Sequence, residues 1–292
     1  MNYTQQRTKL RAVLAGSKCL SPACVYDPIS ARVAESVGYE IAVLPGSDAS
    51  TTTLAAPDLD GSAIVLTLTE FAEQIRRIMR VSNLSLFADA DNGYGNAFNV
   101  MRTVQEFEHS GIAGLSIEDT VLPTPFGLGN NKAAMISTEE AVSKLRSALE
   151  ARSDPSLVIA ARTNALKAEG LEAAIARAKA YAATGVDTVI IVGLKTLNEL
   201  DAIHAAIDLP IMLGAVPESM KRDDLAARGA RILSRGHHTP LPAVIKTLHD
   251  IYKHLYADAP PSALRGQIAT DEEIDRIRHD DTYRKWEQKY LR

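Results

Sequence analysis

Cysteine is scarce in this 292-residue chain: there are two, Cys19 and Cys24, and their spacing is not C-x-x-C. That excludes a disulfide framework and a thiolate metal site of the usual spacing. With Cys24 on a first buried strand, the pair is expected to remain free structural thiols, as a reducing cytosol keeps them. No run approaches the roughly 18 apolar residues of a membrane-spanning helix. Met1 to Lys9 is polar and lacks an apolar signal core. A soluble cytoplasmic protein is therefore expected. Neither sign of charge dominates, since 32 Lys and Arg face 36 Asp and Glu for a net charge of -4. The balance gives no electrostatic case for nucleic acid or an anionic membrane. The G-x-G-x-x-G of a dinucleotide-binding sheet is missing too.

What is present is an alternation. Hydrophobic residues make up 46% and charged residues 23%, an ordinary globular balance. The length exceeds the roughly 250 residues of a typical (β/α)8 barrel. Short apolar runs at 22–26, 41–44, 84–89, 114–117, 157–161, 188–192, 210–213 and 230–233 read as strands. They are apolar throughout, as parallel strands buried on both faces are. Amphipathic segments lie between them, among them 69–81, 99–110, 138–151 and 171–184, and Asp27-Pro28 opens a further helix ending near Gly38. Gly38, Gly111, Gly185 and Gly229 each fall between a helical stretch and a strand, where helix C-caps belong. Eight such units predict an α/β fold, a (β/α)8 TIM barrel spanning residues 1–257. Ala259-Pro260-Pro261 then breaks the chain, and 270–291 reads as one charged helix carrying Tyr283, Trp286 and Tyr290. Residues 258–292 are thus expected to form a helical extension. It either packs on the barrel exterior or contacts another subunit.

Barrel active sites gather at the C-terminal ends of the strands. Asp89-Ala90-Asp91 closes the third strand, and Glu118 closes the fourth. Asp91 is expected on the same strand side as Asp89, two residues on. Carboxylates converging there repel one another unless a cation neutralises them. All-oxygen ligands favour Mg2+ or Mn2+ over zinc. The alternative is that these acids cap helices or pair with arginines. Arg162 follows a buried run; its fork suits a substrate carboxylate, or an internal salt bridge to Glu118. Gly46-Ser47 could aim N–H groups and a hydroxyl at an oxyanion, or Ser47 could cap a helix. His237, beside His238 at the eighth strand end, could bind a carboxylate or move a proton, or be structural.

Asp89-Ala90-Asp91-Asn92-Gly93-Tyr94-Gly95-Asn96 resembles the D-x-D-x-G-x-G signature of the isocitrate lyase/phosphoenolpyruvate mutase superfamily. Ser47 after Pro45-Gly46, Asp58 after Ala55-Ala56-Pro57, Ile117-Glu118-Asp119 and Ala161-Arg162-Thr163-Asn164 match its other segments, so the likeness runs roughly from Val25 to Tyr252. Asn99 to Val104, Leu149-Glu150-Ala151-Arg152 and Gly236-His237 are similar to its oxaloacetate decarboxylase branch. The resemblance implies a Mg2+ site with Asp89 nearest the metal and Asp58, Asp91 and Glu118 assisting, some through water. It implies substrate contacts from Gly46, Ser47, Arg162 and His237, with Ser47, Arg162 and His237 taking part in catalysis. It also implies a homotetramer, a dimer of dimers with terminal helices exchanged between barrels.

Two departures shape the expected chemistry. The superfamily's C–C lyases carry Lys-Lys-Cys-Gly-His after the fourth strand, whereas this chain has Phe126-Gly127-Leu128-Gly129-Asn130-Asn131-Lys132. That segment, a lid or a plain surface loop, also lacks the Lys-x-Asn-Ser of phosphonopyruvate-processing members. Decarboxylase relatives have a tyrosine after the seventh strand, where this chain reads Gly214-Ala215-Val216-Pro217. The expected activity is Mg2+-dependent decarboxylation of oxaloacetate to pyruvate and CO2 through an enolate, protonated by water. Alternatives are a C–C lyase or phosphonopyruvate-type enzyme acting on another oxo- or hydroxy-acid, and a non-catalytic barrel that binds an oxo-acid.

Overall fold

Each of the eight apolar runs forms a strand in a computed structural model that describes residues 3–59, 64–127 and 134–291. They are β1 (Ala23–Cys24), β2 (Ile41–Leu44), β3 (Ser85–Asp89), β4 (Gly114–Glu118), β5 (Val158–Thr163), β6 (Thr188–Ile191), β7 (Ile211–Leu213) and β8 (Ala230–Leu233). They pair in parallel in chain order. Leu20 pairs in parallel with Ile232, donating its N–H to the Arg231 carbonyl at 2.9 Å and accepting from Leu233 N–H at 2.9 Å. That bridge closes β8 back onto the start of the chain, and the fold is a TIM-type barrel. β1 is shorter than its apolar run, although Val25 still donates to Val43.

The helices are α1 (Thr4–Ala15), α2 (Pro28–Val37), α3 (Gly46–Leu54), α4 (Leu68–Met79), α5 (Ala97–Ser110), α6 (Thr138–Ala151), α7 (Ala165–Ala168), α8 (Leu171–Ala182), α9 (Leu197–His204), α10 (Arg222–Ala226), α11 (Pro240–Tyr256), α12 (Asp271–Arg278) and α13 (Asp280–Tyr290). Reciprocal caps set the starts of α2, α4 and α5: Asp27 with Ser30, Thr67 with Glu70, and Asn96 with Asn99. Gly38 and Gly111 end α2 and α5 with φ of 103° and 98°, a left-handed turn in which a Cβ would be strained.

Helix α1 was not anticipated, because it buries little apolar surface. Leu10 and Leu14 plug the floor of the barrel against Ile41, Phe87, Val158 and Met212. The packing there is close: a Cβ on Gly114 would stand 3.0 Å from both Leu10 and Phe87. Arg7 fastens the helix, donating to Asp154 at 2.7 Å and to the Glu108 and Ile112 carbonyls. Burial of this kind leaves no apolar stripe to read.

The expected single helix over 270–291 is two. His279, with φ 60°, breaks it, and Asp280 and Asp281 start α13 with acids in its first turn. Before that break, α11 buries only Leu241; Val244, Ile245, Leu248, Tyr252 and Leu255 are exposed. Both cysteines are buried and free. No helix among the described residues is long and apolar enough to cross a membrane.

Candidate active site

A cavity of about 980 Å3 opens at the C-terminal ends of the strands. Gly46, Ser47, Asp58, Asp89, Asp91, Glu118, Arg162 and His237 all line it, so every residue singled out from the sequence converges there.

Asp89 ends β3 and Glu118 ends β4. Arg162, in register with Glu118 on β5, joins them. Its Nη1 pairs with the Asp89 carboxylate, and its Nε lies 3.0 Å from Glu118 Oε2, poorly aligned for a hydrogen bond. Ser116 Oγ donates to Asp89 at 2.9 Å. Burial opposes the charge on Arg162, but Asp89 and Glu118 outweigh it and hold the guanidinium protonated. The internal salt bridge weighed from the sequence is therefore present, and it reaches Asp89 as well.

Asp91 faces the cavity with Asp89, as expected, although it lies past the end of β3, in a left-handed turn at φ 49°. Its carbonyl accepts from Glu118 N–H at 2.8 Å. Its carboxylate abuts Gly46, where a Cβ would stand 3.1 Å from Oδ1. Glycine is needed there for that approach. Burial, then the charges of Asp89, Glu118 and Asp58, pushes the Asp91 carboxyl well above the usual carboxylate range. Burial also raises Glu118, against the pull of Arg162.

Among the described residues no three acidic, histidine or cysteine side chains stand close enough together to grip a metal directly. The donor set nonetheless fits a small hard cation. Mg2+ keeps several waters and is commonly held through one or two carboxylates. Buried, mutually repelling carboxyls are stabilised as anions by such a charge.

Ser47 is not the helix cap that was one of its two readings. Pro45 occupies the N-cap of α3 without a side-chain cap, and Ser47 lies within the first turn. First-turn N–H groups lack intrahelical partners and favour anions. Beneath them, Cys24 Sγ lies 2.9 Å from the buried Asp48 carboxylate. His237 Nδ1 lies 3.0 Å from the Ser234 carbonyl, and its ring is tilted over His238 at 3.7 Å. A carbonyl only accepts, so Nδ1 carries the proton and Nε2 of the neutral ring is an acceptor. Burial and then His238 lower the His237 pKa, favouring that neutral ring.

After β7 the cavity is walled by Gly214 and Ala215, while Val216 packs into the neighbouring apolar cluster. No hydroxyl enters from that side. Phe126 is fully exposed, and Leu128 to Lys132 of the candidate lid lie outside the described residues. Ser116 lines the site unforeseen, and Asn164, from the matching Ala161-Arg162-Thr163-Asn164 segment, lines it beside Arg162. Asn164 donates to Thr120 at 2.7 Å and to Glu118 at 3.4 Å. Only their positions across neighbouring strands reveal these roles.

The family model described as phosphoenolpyruvate phosphomutase matches residues 10–255. An oxaloacetate decarboxylase of Bradyrhizobium diazoefficiens is 47% identical over 278 residues, covering 95% of this chain and 94% of its own. Among solved structures, a phosphoenolpyruvate phosphomutase of Streptomyces platensis subsp. rosaceus superposes with a TM-score of 0.87 at 27% identity, covering 98% of this chain and 99% of its own. A phosphonopyruvate hydrolase in complex with oxalate and Mg2+ superposes with a TM-score of 0.83 at 26% identity, covering 100% of both chains.

Proposed function

This chain belongs to the phosphoenolpyruvate phosphomutase family, and we propose that within it the chain decarboxylates oxaloacetate to pyruvate and CO2. The reading is carried by the gathering of Asp89, Asp91 and Glu118 around Arg162 at the mouth of a barrel that is 47% identical in sequence to an oxaloacetate decarboxylase. Purified protein with Mg2+ should convert oxaloacetate to pyruvate; a rate no faster than Mg2+ alone would sink the assignment.

Asp89, with Asp91, Asp58 and Glu118 assisting, some through water, would hold Mg2+, or Mn2+ in its place. When bound, such a cation supplies Lewis acidity towards the keto group of an oxo-acid. The remaining work belongs to the protein. Arg162 orients a substrate carboxylate with the part of its fork not committed to Asp89 and Glu118. Breaking the bond to the remote carboxylate releases CO2 and leaves its electron pair on the three-carbon fragment, the enolate of pyruvate. Gly46 and Ser47 offer N–H and hydroxyl donors for that negative charge. His237, on the cavity wall after β8, would hold the remote carboxylate. Its neutral Nε2 only accepts, so it would do so as an imidazolium, formed when the substrate's negative charge offsets the burial that keeps the empty site's ring neutral. Water protonates the enolate carbon.

The raised carboxyls make a pH prediction. In the cation-free protein Asp91 and Glu118 hold protons that an unfolded chain would release. Stability of that form therefore falls as pH rises above the ordinary carboxylate range. A bound cation removes the penalty by replacing the protons. The rise in melting temperature caused by saturating Mg2+ should be larger at about pH 8 than at about pH 5.5. An equal rise at both would show that these carboxyls do not exchange protons for the cation.

The protein assembles as a homotetramer, a dimer of dimers, with the helices after the barrel exchanged between subunits. The support is the apolar face of α11, uncovered in the single chain, together with exposed Ile29, Val33 and Val37 on α2. A monomer would leave that surface in water. Leu248→Asp should shift the protein to a smaller species in size-exclusion chromatography with light scattering. An unchanged mass would exclude α11 from the contact. The barrel through residue 257 is the catalytic unit, and the helices beyond it serve assembly. The free buried cysteines suit the cytoplasm.

A further inference from the structure

The proposed chemistry does not use Asp119, although its carboxyl is only 2% exposed. Side chains alternate along strands, so as Glu118 and Arg162 point into the barrel, the next residues, Asp119 and Thr163, point outwards against the helices. Thr163 Oγ1 donates to Asp119 at 2.7 Å, and Asn164 N–H donates to it at 3.3 Å. The Asp119 N–H in turn donates to the Arg162 carbonyl at 3.3 Å. From α8, Tyr181 Oη donates to the same carboxylate at 2.7 Å, and Arg177 Nη1 pairs with it at 3.4 Å. Arg177 also donates to the Ile136 carbonyl at 3.0 Å, and Ile136 N–H donates back to the Asp119 carbonyl at 2.9 Å.

Behind the barrel wall, Lys144 is 3% exposed and lines a void of about 10 Å3 with Glu118, Asp119, Arg162 and Tyr181. The outward cluster and the inward pair are thus two faces of one strand junction. Burying so many polar groups costs more than an apolar layer of the same size would. What the cluster supplies in exchange is a fixed relation between the ends of β4 and β5.

We propose that Asp119, braced from α8 by Tyr181 and Arg177, is the positioning residue that sets Glu118 and Arg162 for cation and substrate. The proposal rests on the decarboxylase reading for its reaction, but not for its second readout. Groups that orient ligating or reacting side chains are commonly worth about tenfold to a hundredfold, and small misplacements are costly to catalysis.

Tyr181→Phe removes one hydroxyl and keeps the ring. It should lower kcat for oxaloacetate about tenfold and weaken oxalate binding in the presence of Mg2+ by a similar factor. Its melting temperature should fall by only a few degrees. Thr163→Val should act in the same way and Thr163→Ser should restore function. Phe107→Leu, on the buried face of α5 and with a side chain that makes no hydrogen bond, is the control; it should cost stability but leave kcat and oxalate affinity alone. The proposal is overturned if Tyr181→Phe keeps wild-type kcat and oxalate affinity, or if Phe107→Leu loses as much of both. If wild-type protein binds oxalate but does not turn over oxaloacetate, the decarboxylase reading fails and oxalate affinity still decides this one.

Discussion

Asp89→Ala is expected to lower kcat/KM for oxaloacetate by about a thousandfold, measured as pyruvate formed at saturating Mg2+. Asp89 is the acid that joins the proposed cation site to the substrate-orienting arginine. Asp89 accepts from Ser116, pairs with Arg162, and faces the cavity beside Asp91. Its loss removes the proposed principal cation ligand. It also frees Arg162 to fall back on Glu118 alone, out of place for a substrate carboxylate. Asp89→Asn keeps the shape and a hydrogen bond to Ser116 but not the charge, so it should be nearly as inactive. Stability should change less than activity. Asp89 adds to the repulsion that raises Asp91, but it also pairs with Arg162, so without a cation the two effects oppose and the melting temperature of the alanine variant should stay within a few degrees of wild type. Activity within about tenfold of wild type would remove Asp89 from the mechanism.

The same residues show what could be read in the sequence and what could not. All eight strands were legible, because parallel strands covered on both faces appear as unbroken apolar runs between helical periods. Asp27, Thr67 and Asn96 marked helix starts by local chemistry. The strand-end rule alone brings Asp89, Glu118, Arg162 and His237 to one mouth, where they line a single cavity.

What escaped depends on partners distant in the chain. Helix α1 is held by two leucines in the barrel floor and by arginine hydrogen bonds to carbonyls more than a hundred residues away. The left-handed turn at Asp91 sets its carboxylate against Gly46, which follows the preceding strand, β2. The break at His279 needs only one residue in the left-handed region, which the surrounding helical residues do not signal. Asp119 could be seen beside Glu118 in the sequence. Its outward role required the β4–β5 register and the placement of Tyr181 and Arg177 on α8.

Arg162 carries the second large prediction, because it is the half-buried cation between two acids. Arg162→Met should lower kcat/KM at least about a hundredfold. It should also destabilise the cation-free protein by about 3 kcal/mol at neutral pH, the scale of leaving buried charges without a partner. The size of that loss depends on pH. Arg162 holds Glu118 down against burial, so without it Glu118 rises further and keeps its proton more readily. At low pH the protonated carboxyls need no cation and the variant should be nearly as stable as wild type. The deficit should grow as pH rises and the carboxyls are forced to ionise. Mg2+ should recover much of it by supplying positive charge, without restoring turnover. Arg162→Lys separates charge from shape. A single ammonium cannot span Asp89 and Glu118 as the guanidinium does, so stability should largely return while kcat/KM stays low. If lysine restores turnover as well, charge alone is what the site requires there, and the fork of Arg162 has no part in orienting the substrate.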